Sequence, residues 1–234
     1  MPTKRKDRGK ILHTPTEYGK SVNGSPLEIF LPKEISNPKI LILAGIHGDE
    51  PESTALLSEA LRHLKSDELN NAVILCANPD GMARGTRANV NGVDLNRNFP
   101  ALNWKPEPVY YRNSKDEKRD IELSPGVKSA SEPETKLLID IIEKLDPNYI
   151  VSIHAPLACI EDPNKTVLSK WISDNTELPI VQDIGYKTPG SMGSWAADKD
   201  IPIITFELPS ESIEEMKKPI VPTLIDILIA NCKY

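Results

Sequence analysis

The segment Lys39-Ile40-Leu41-Ile42-Leu43-Ala44-Gly45-Ile46-His47-Gly48-Asp49-Glu50-Pro51 decides how this chain is read. Residues 40–44 form an unbroken apolar run of strand length, the pattern of a strand buried on both faces. Gly45 and Gly48 allow the backbone to turn tightly. Pro51 suits the first turn of a helix, and Ala55, Leu56, Ala60, Leu61 and Leu64 then recur at helical spacing. A buried strand thus crosses into a helix, and His47 and Glu50 sit on the crossing. A catalytic zinc needs three protein ligands and an open position, and a His with a Glu three residues on supplies two of them.

The same arrangement of an apolar strand ending in a polar residue appears twice more. Residues 149–153 read as a strand that ends at His154, and residues 202–208 as a strand that carries Glu207 near its end. Residues 27–31 and 72–77 read as further strands, and residues 179–184 as another. Ser131-Glu132-Pro133-Glu134 matches a Ser-x-x-Glu capping box ahead of a helix whose Leu137, Leu138, Ile141, Ile142 and Leu145 make one apolar face. Residues 166–174 and 219–232 are expected to be helical, and Asn78-Pro79-Asp80-Gly81 is a turn signal. Residues 82–127 show little periodicity over more than forty positions, the mark of a functional loop. The alternation predicts a three-layer αβα sandwich around a mixed, mainly parallel sheet. In such sheets the ligand crevice lies beyond the carboxyl ends of the strands, where His47, His154 and Glu207 are expected to meet.

Composition narrows the function classes. With 234 residues and 39% hydrophobic content, the chain can bury one sizeable core and is expected to be a single domain. Residues 1–20 are expected to form a loosely ordered arm. A net charge of −6 argues against nucleic acid as a partner. No apolar run reaches membrane-spanning length, and the first twenty residues offer only Ile11 and Leu12 as the apolar core of an export signal. Cys76, Cys159 and Cys232 are too few and scattered for a disulfide framework. A soluble cytoplasmic monomer or homodimer is the expectation.

Gly45-Ile46-His47-Gly48-Asp49-Glu50 and Gly92-Val93-Asp94-Leu95-Asn96-Arg97-Asn98-Phe99-Pro100 resemble the signatures of the zinc metallocarboxypeptidase family. Ser152-Ile153-His154 is similar to the family's strand bearing the third ligand, and Thr205-Phe206-Glu207-Leu208 to its strand bearing the catalytic glutamate. The resemblance implies one Zn²⁺ held by His47, Glu50 and His154, with Asp94 orienting the first histidine. It implies Glu207 as the proton-transferring carboxylate and Arg87, with Arg84 as its competitor, as the cation facing the tetrahedral intermediate. Asn96 and Arg97 correspond to the pair that clasps a substrate carboxylate, and Tyr186 to a tyrosine that closes over substrate. The stretches 154–163 and 185–191 resemble the small bacterial members of the family that cleave γ-D-glutamyl-meso-diaminopimelate in murein tripeptide. That substrate has a distal ammonium, for which Asp162 and Asp198 are the expected partners. An acyl-amino-acid deacylase, a generic carboxypeptidase and a non-catalytic peptide-binding module are the alternatives.

Overall fold

The computed structural model describes residues 4, 7–33, 38–111 and 120–234. A six-stranded sheet forms its centre. Strand β3 (Ile40–Leu43) lies between β4 (Ala72–Ile74) and β7 (Tyr149–His154), and β10 (Ile203–Glu207) follows β7. These four strands run parallel. Beyond β10, β8 (Cys159–Glu161) pairs antiparallel, and β9 (Ile180–Val181) closes the edge.

Residues of β3 alternate between two cores, which explains why its sequence is apolar throughout. Ile40 and Ile42 pack with Leu56, Leu57 and Leu61 of helix α1 (Pro51–Leu61), with Leu168 and Ile172 of α4 (Val167–Thr176), and with Ile220 and Leu224 of α6 (Ile213–Leu228). Leu41 and Leu43 face Leu138 and Ile142 of α3 (Pro133–Leu145) and Met192 and Trp195 of α5 (Met192–Asp198). Helices therefore cover both faces, and the architecture is the expected αβα sandwich around a mainly parallel sheet. Truncating a fully buried side chain in either layer, such as Phe206 to Ala, costs about 3–5 kcal/mol.

Several elements differ from the sequence reading for identifiable reasons. Part of the expected N-terminal arm is ordered: Thr16–Lys20 form β1, which pairs antiparallel with β2 (Pro26–Ile29). Gly19 lies against the side chain of Leu137 in α3, so this hairpin packs on the sandwich. The strand expected at residues 27–31 belongs to this ribbon, joined to the main sheet by a bridge from Phe30 to Val73. Ser131 does not cap α3. Its hydroxyl donates to Glu132 Oε1, and Glu134 accepts from the Val22 amide instead of closing a capping box. The capping box that does form is Ser212 with Glu215, which starts α6 well before the expected residue 219 and leaves Pro219 and Pro222 inside the helix.

Asn78 is a cap rather than a turn residue: its side chain accepts from the Gly81 amide and opens α2 (Pro79–Arg84). The long segment at 82–127 also holds a 3₁₀ turn (Leu95–Arg97) and a hairpin of β5 (Val109–Tyr111) and β6 (Ile121–Leu123). Its residues 112–119 lie outside the described residues. No helix among the described residues is long and apolar enough to cross a membrane.

Candidate active site

The parallel order β3-β7-β10 brings three strand ends to one edge. Glu207 stands in register with His154 on the neighbouring strand, and the turn after β3 carries His47 and Glu50 to the same place. Gly45 adopts φ +64° in that turn, and a Cβ there would crowd the Thr54 hydroxyl. Gly48 is constrained differently: a Cβ would fall on the carbonyl carbon of Gly81 in α2. Backbone contact at Gly48 thus packs the His47 turn onto the segment that leads to Arg87, whose carbonyl accepts from the Gly48 amide. Gly48→Ala is expected to cost about 1–3 kcal/mol through overpacking, read as a lowered melting temperature, and to reduce activity by displacing Arg87.

His47, Glu50 and His154 are 2%, 6% and 3% exposed. His47 Nδ1 lies 2.7 Å from Glu50 Oε1, while His154 Nδ1 lies 3.1 Å from Glu50 Oε2 and 3.2 Å from His47 Nδ1. On the outer side, His154 Nε2 meets the Ser152 hydroxyl at 3.0 Å. His47 Nε2 lies 3.3 Å from Asp94 Oδ1, an ionic contact outside hydrogen-bond geometry. With the ring protons assigned outward to Nε2, both Nδ1 lone pairs and the carboxylate converge on one point. Two nitrogens and a carboxylate, buried and converging, are the donor set that fits a zinc ion, and a single proton could satisfy only one of the nitrogens.

Electrostatics around this point are strongly shaped. Burial raises the Glu50 pKa on its own, yet His47 and His154 outweigh it and hold the carboxyl well below its ordinary range. Burial and Arg87 lower the His47 pKa, and Glu50 with Asp94 more than reverse them. Asp94 is also driven to the charged form, because Arg87, His47 and Arg97 overcome its burial. Its carboxylate accepts from Arg87 Nε at 3.0 Å and from the Asn96 amide at 3.0 Å.

Arg87 also donates to Glu50 Oε1 at 3.2 Å and lies 5.1 Å over the ring of Tyr111. Arg84, the competing candidate, instead donates to the Asp80 carbonyl within its own helix. Glu207 ends β10 buried, and that burial raises its pKa despite the nearby His154. Its Oε2 accepts from the Leu157 amide at 3.4 Å. Asn96 uses its Oδ1 to accept from the Met192 amide at 2.9 Å, which leaves its NH₂ group for a ligand. Arg97 is buried, with Nη1 donating to the Asn96 carbonyl. The Tyr186 side chain is half exposed; burial raises its hydroxyl pKa, and the charges of Arg87, Glu207 and Arg97 all act on it.

Two expected residues are used elsewhere. Asp162 is 1% exposed, and its carboxylate accepts from the amides of Asn164 and Thr166 and from the Thr166 hydroxyl at 2.7–2.9 Å. It organises the turn into α4 and is not open to a substrate ammonium. Burial opposes its ionisation, but hydrogen bonds from Ser169, Thr166 and Asn164 outweigh burial and hold its pKa below the ordinary value. A depressed folded-state pKa means that its stabilisation is complete at neutral pH and is lost as pH falls through the folded value. Asp162→Ala is therefore expected to destabilise by about 1–2 kcal/mol at pH 7, with the difference shrinking in acid, as chemical unfolding at both pH values will read. Asp198 ends α5 about 9 Å along the helix from Met192 and accepts from the Leu102 amide at 2.6 Å. Its carboxylate is thus engaged by the Leu102 backbone.

Sequence reasoning missed the contact that Ser152 makes with His154. Ser152 lies two residues before His154 on a strand, hence on the same face, which the period of two makes readable. Tyr111, an aromatic of the long 82–127 segment, lies under the Arg87 guanidinium.

Comparison with known proteins agrees with this geometry. A family model described as zinc carboxypeptidase matches residues 5–160, which excludes the strand of Glu207. Murein peptide amidase A of Escherichia coli is 47% identical over 225 residues, covering 96% of this chain and 93% of the relative. The Vibrio campbellii protein of that name is 48% identical over 211 residues, covering 90% and 85%. The crystal structure of murein-tripeptide amidase MpaA from Escherichia coli O157 superposes with a TM-score of 0.91 at 44% identity, covering 97% of this chain and 96% of that one. With that similarity and a buried two-His, one-Glu cluster at the carboxyl edge of the sheet, the chain belongs to the zinc carboxypeptidase family.

Proposed function

We infer that this chain hydrolyses the amide bond between γ-D-glutamate and meso-diaminopimelate in murein tripeptide, using one zinc ion per chain held by His47, Glu50 and His154. The observation that carries this reading is the convergence of those three side chains beside Glu207, in a chain similar to murein peptide amidases over nearly its full length. A zinc ion held by these residues would supply Lewis acidity for a carbonyl and for water.

The remaining work falls to the chain's own residues. Glu207, whose pKa is raised by burial, accepts a proton from the attacking water and returns it to the leaving amine of diaminopimelate. Arg87 sets a fixed positive charge beside the cluster, where negative charge develops on the scissile carbonyl oxygen. Asn96 and Arg97 hold the carboxylate next to the leaving amine, and Tyr186 covers the substrate.

A substrate panel tests the reading. L-Ala-γ-D-Glu-meso-diaminopimelate is expected to be cleaved with release of free diaminopimelate, while α-linked peptides ending in Leu, Phe or Lys and N-acetylated amino acids remain largely intact. Preferential hydrolysis of the acylated amino acids would indicate a deacylase, and rapid trimming of the α-linked peptides a generic carboxypeptidase.

A further inference from the structure

With Asp162 and Asp198 engaged elsewhere, the distal ammonium of the inferred substrate lacks a partner. We propose that Glu161 on β8 is the residue that recognises it, which makes Glu161 a specificity determinant of the same site. The proposal rests on the function inferred above. Its structural basis is the register between β8 and β10.

Those strands are antiparallel, with Cys159 opposite Glu207 and Glu161 opposite Thr205. Partners in register project to the same face of a sheet. Ile160, Ile204 and Phe206 all lie in the core beneath α1, α4 and α6. By alternation, Cys159, Glu161, Thr205 and Glu207 project to the opposite face, the one covered by α3 and α5. Glu161 therefore stands on the catalytic side of the sheet, two residues in from the edge that Glu207 marks, or about 7 Å. Cys159, opposite Glu207, senses both carboxylates: burial pushes its thiol up to about 11, with Glu207 and Glu161 both adding to the rise.

Glu161 also differs from the other acids near the site. It is partly buried, and no other described residue gives its carboxylate a hydrogen bond or ion pair. Its carboxylate can therefore meet an incoming cation without giving up another contact. The boundaries of the space are equally suggestive. α5 begins at Met192, bonded to Asn96, and packs on β10, while β9 beside Glu161 leads into the loop that carries Tyr186. A substrate whose carboxylate meets Asn96 and Arg97 and whose amide meets Glu207 has its side chain directed along this face. The two amino-bearing carbons of diaminopimelate are about 5 Å apart when extended, and the Glu161 position lies about 7 Å along the strand from that of Glu207.

The test compares two tripeptides, one ending in meso-diaminopimelate and one ending in 2-aminopimelate, which keeps both carboxylates and lacks only the distal amine. For Glu161→Gln, the ratio of kcat/KM between the two peptides is expected to fall at least tenfold, chiefly through KM for the diaminopimelate peptide. Glu161→Asp, which keeps the charge on a shorter stem, should retain more of the ratio. A ratio that stays within about twofold of wild type in Glu161→Gln, while wild type cleaves the tripeptide, overturns the assignment alone. Failure of wild type to cleave either tripeptide overturns the inferred function and this assignment with it.

Discussion

Glu207→Gln is expected to leave the fold and the metal content intact while lowering turnover by about 10²- to 10⁴-fold, the range for removal of a general acid–base group. The side chain ends β10 beside His154 but lies outside the converging His47, Glu50 and His154 donors, so zinc binding does not depend on it. The isosteric amide fills the same buried space and can still accept from the Leu157 amide. What it loses is the ability to take up a proton. Metal analysis and steady-state kinetics on the same preparation separate the two effects. Turnover near wild type would move the proton-transfer role to another group.

The second large effect is expected at the ligands. His154→Ala removes one of three donors and should abolish both stoichiometric zinc and hydrolysis. A related consequence follows for stability. Glu50 is buried against both histidines and Arg87, so deleting either ring leaves a buried carboxylate with fewer partners. Breaking a buried ionic cluster by removing one member typically costs about 3–5 kcal/mol. The metal-free variant is thus expected to melt below the metal-free wild type. Full activity in His154→Ala, or wild-type zinc content, would contradict the assigned ligand set.

Much of this site was legible in the sequence because local rules and global topology agree there. The apolar run before Gly45, the helical spacing after Pro51 and the polar residues at two later strand ends specify a parallel sheet with one functional edge. Parallel pairing of β3, β7 and β10 then fixes the meeting of His47, His154 and Glu207. Helix boundaries were less readable. Pro219 reads as a helix start because proline is disfavoured in helix interiors, yet the Ser212–Glu215 box nucleates α6 ahead of it, and burial of Met216 and Ile220 holds the first turns in place.

Partners for the distal end of the substrate were the least readable. Asp162 was prominent for its position after His154, but a short acid before Pro163-Asn164 is equally suited to bonding the amides of its own turn, and it does so. Glu161 next to it carries no motif. Only the antiparallel register of β8 on β10 sets it on the face of Glu207, and a strand of three residues offers too little periodicity to reveal that from sequence.

The account is tested most directly by following release of meso-diaminopimelate from L-Ala-γ-D-Glu-meso-diaminopimelate by the purified chain, before and after exhaustive chelation and again after zinc is restored. It predicts release by the zinc-loaded protein, loss of release on chelation, and recovery with about one equivalent of zinc per chain. Undiminished release by the fully metal-depleted protein would contradict it.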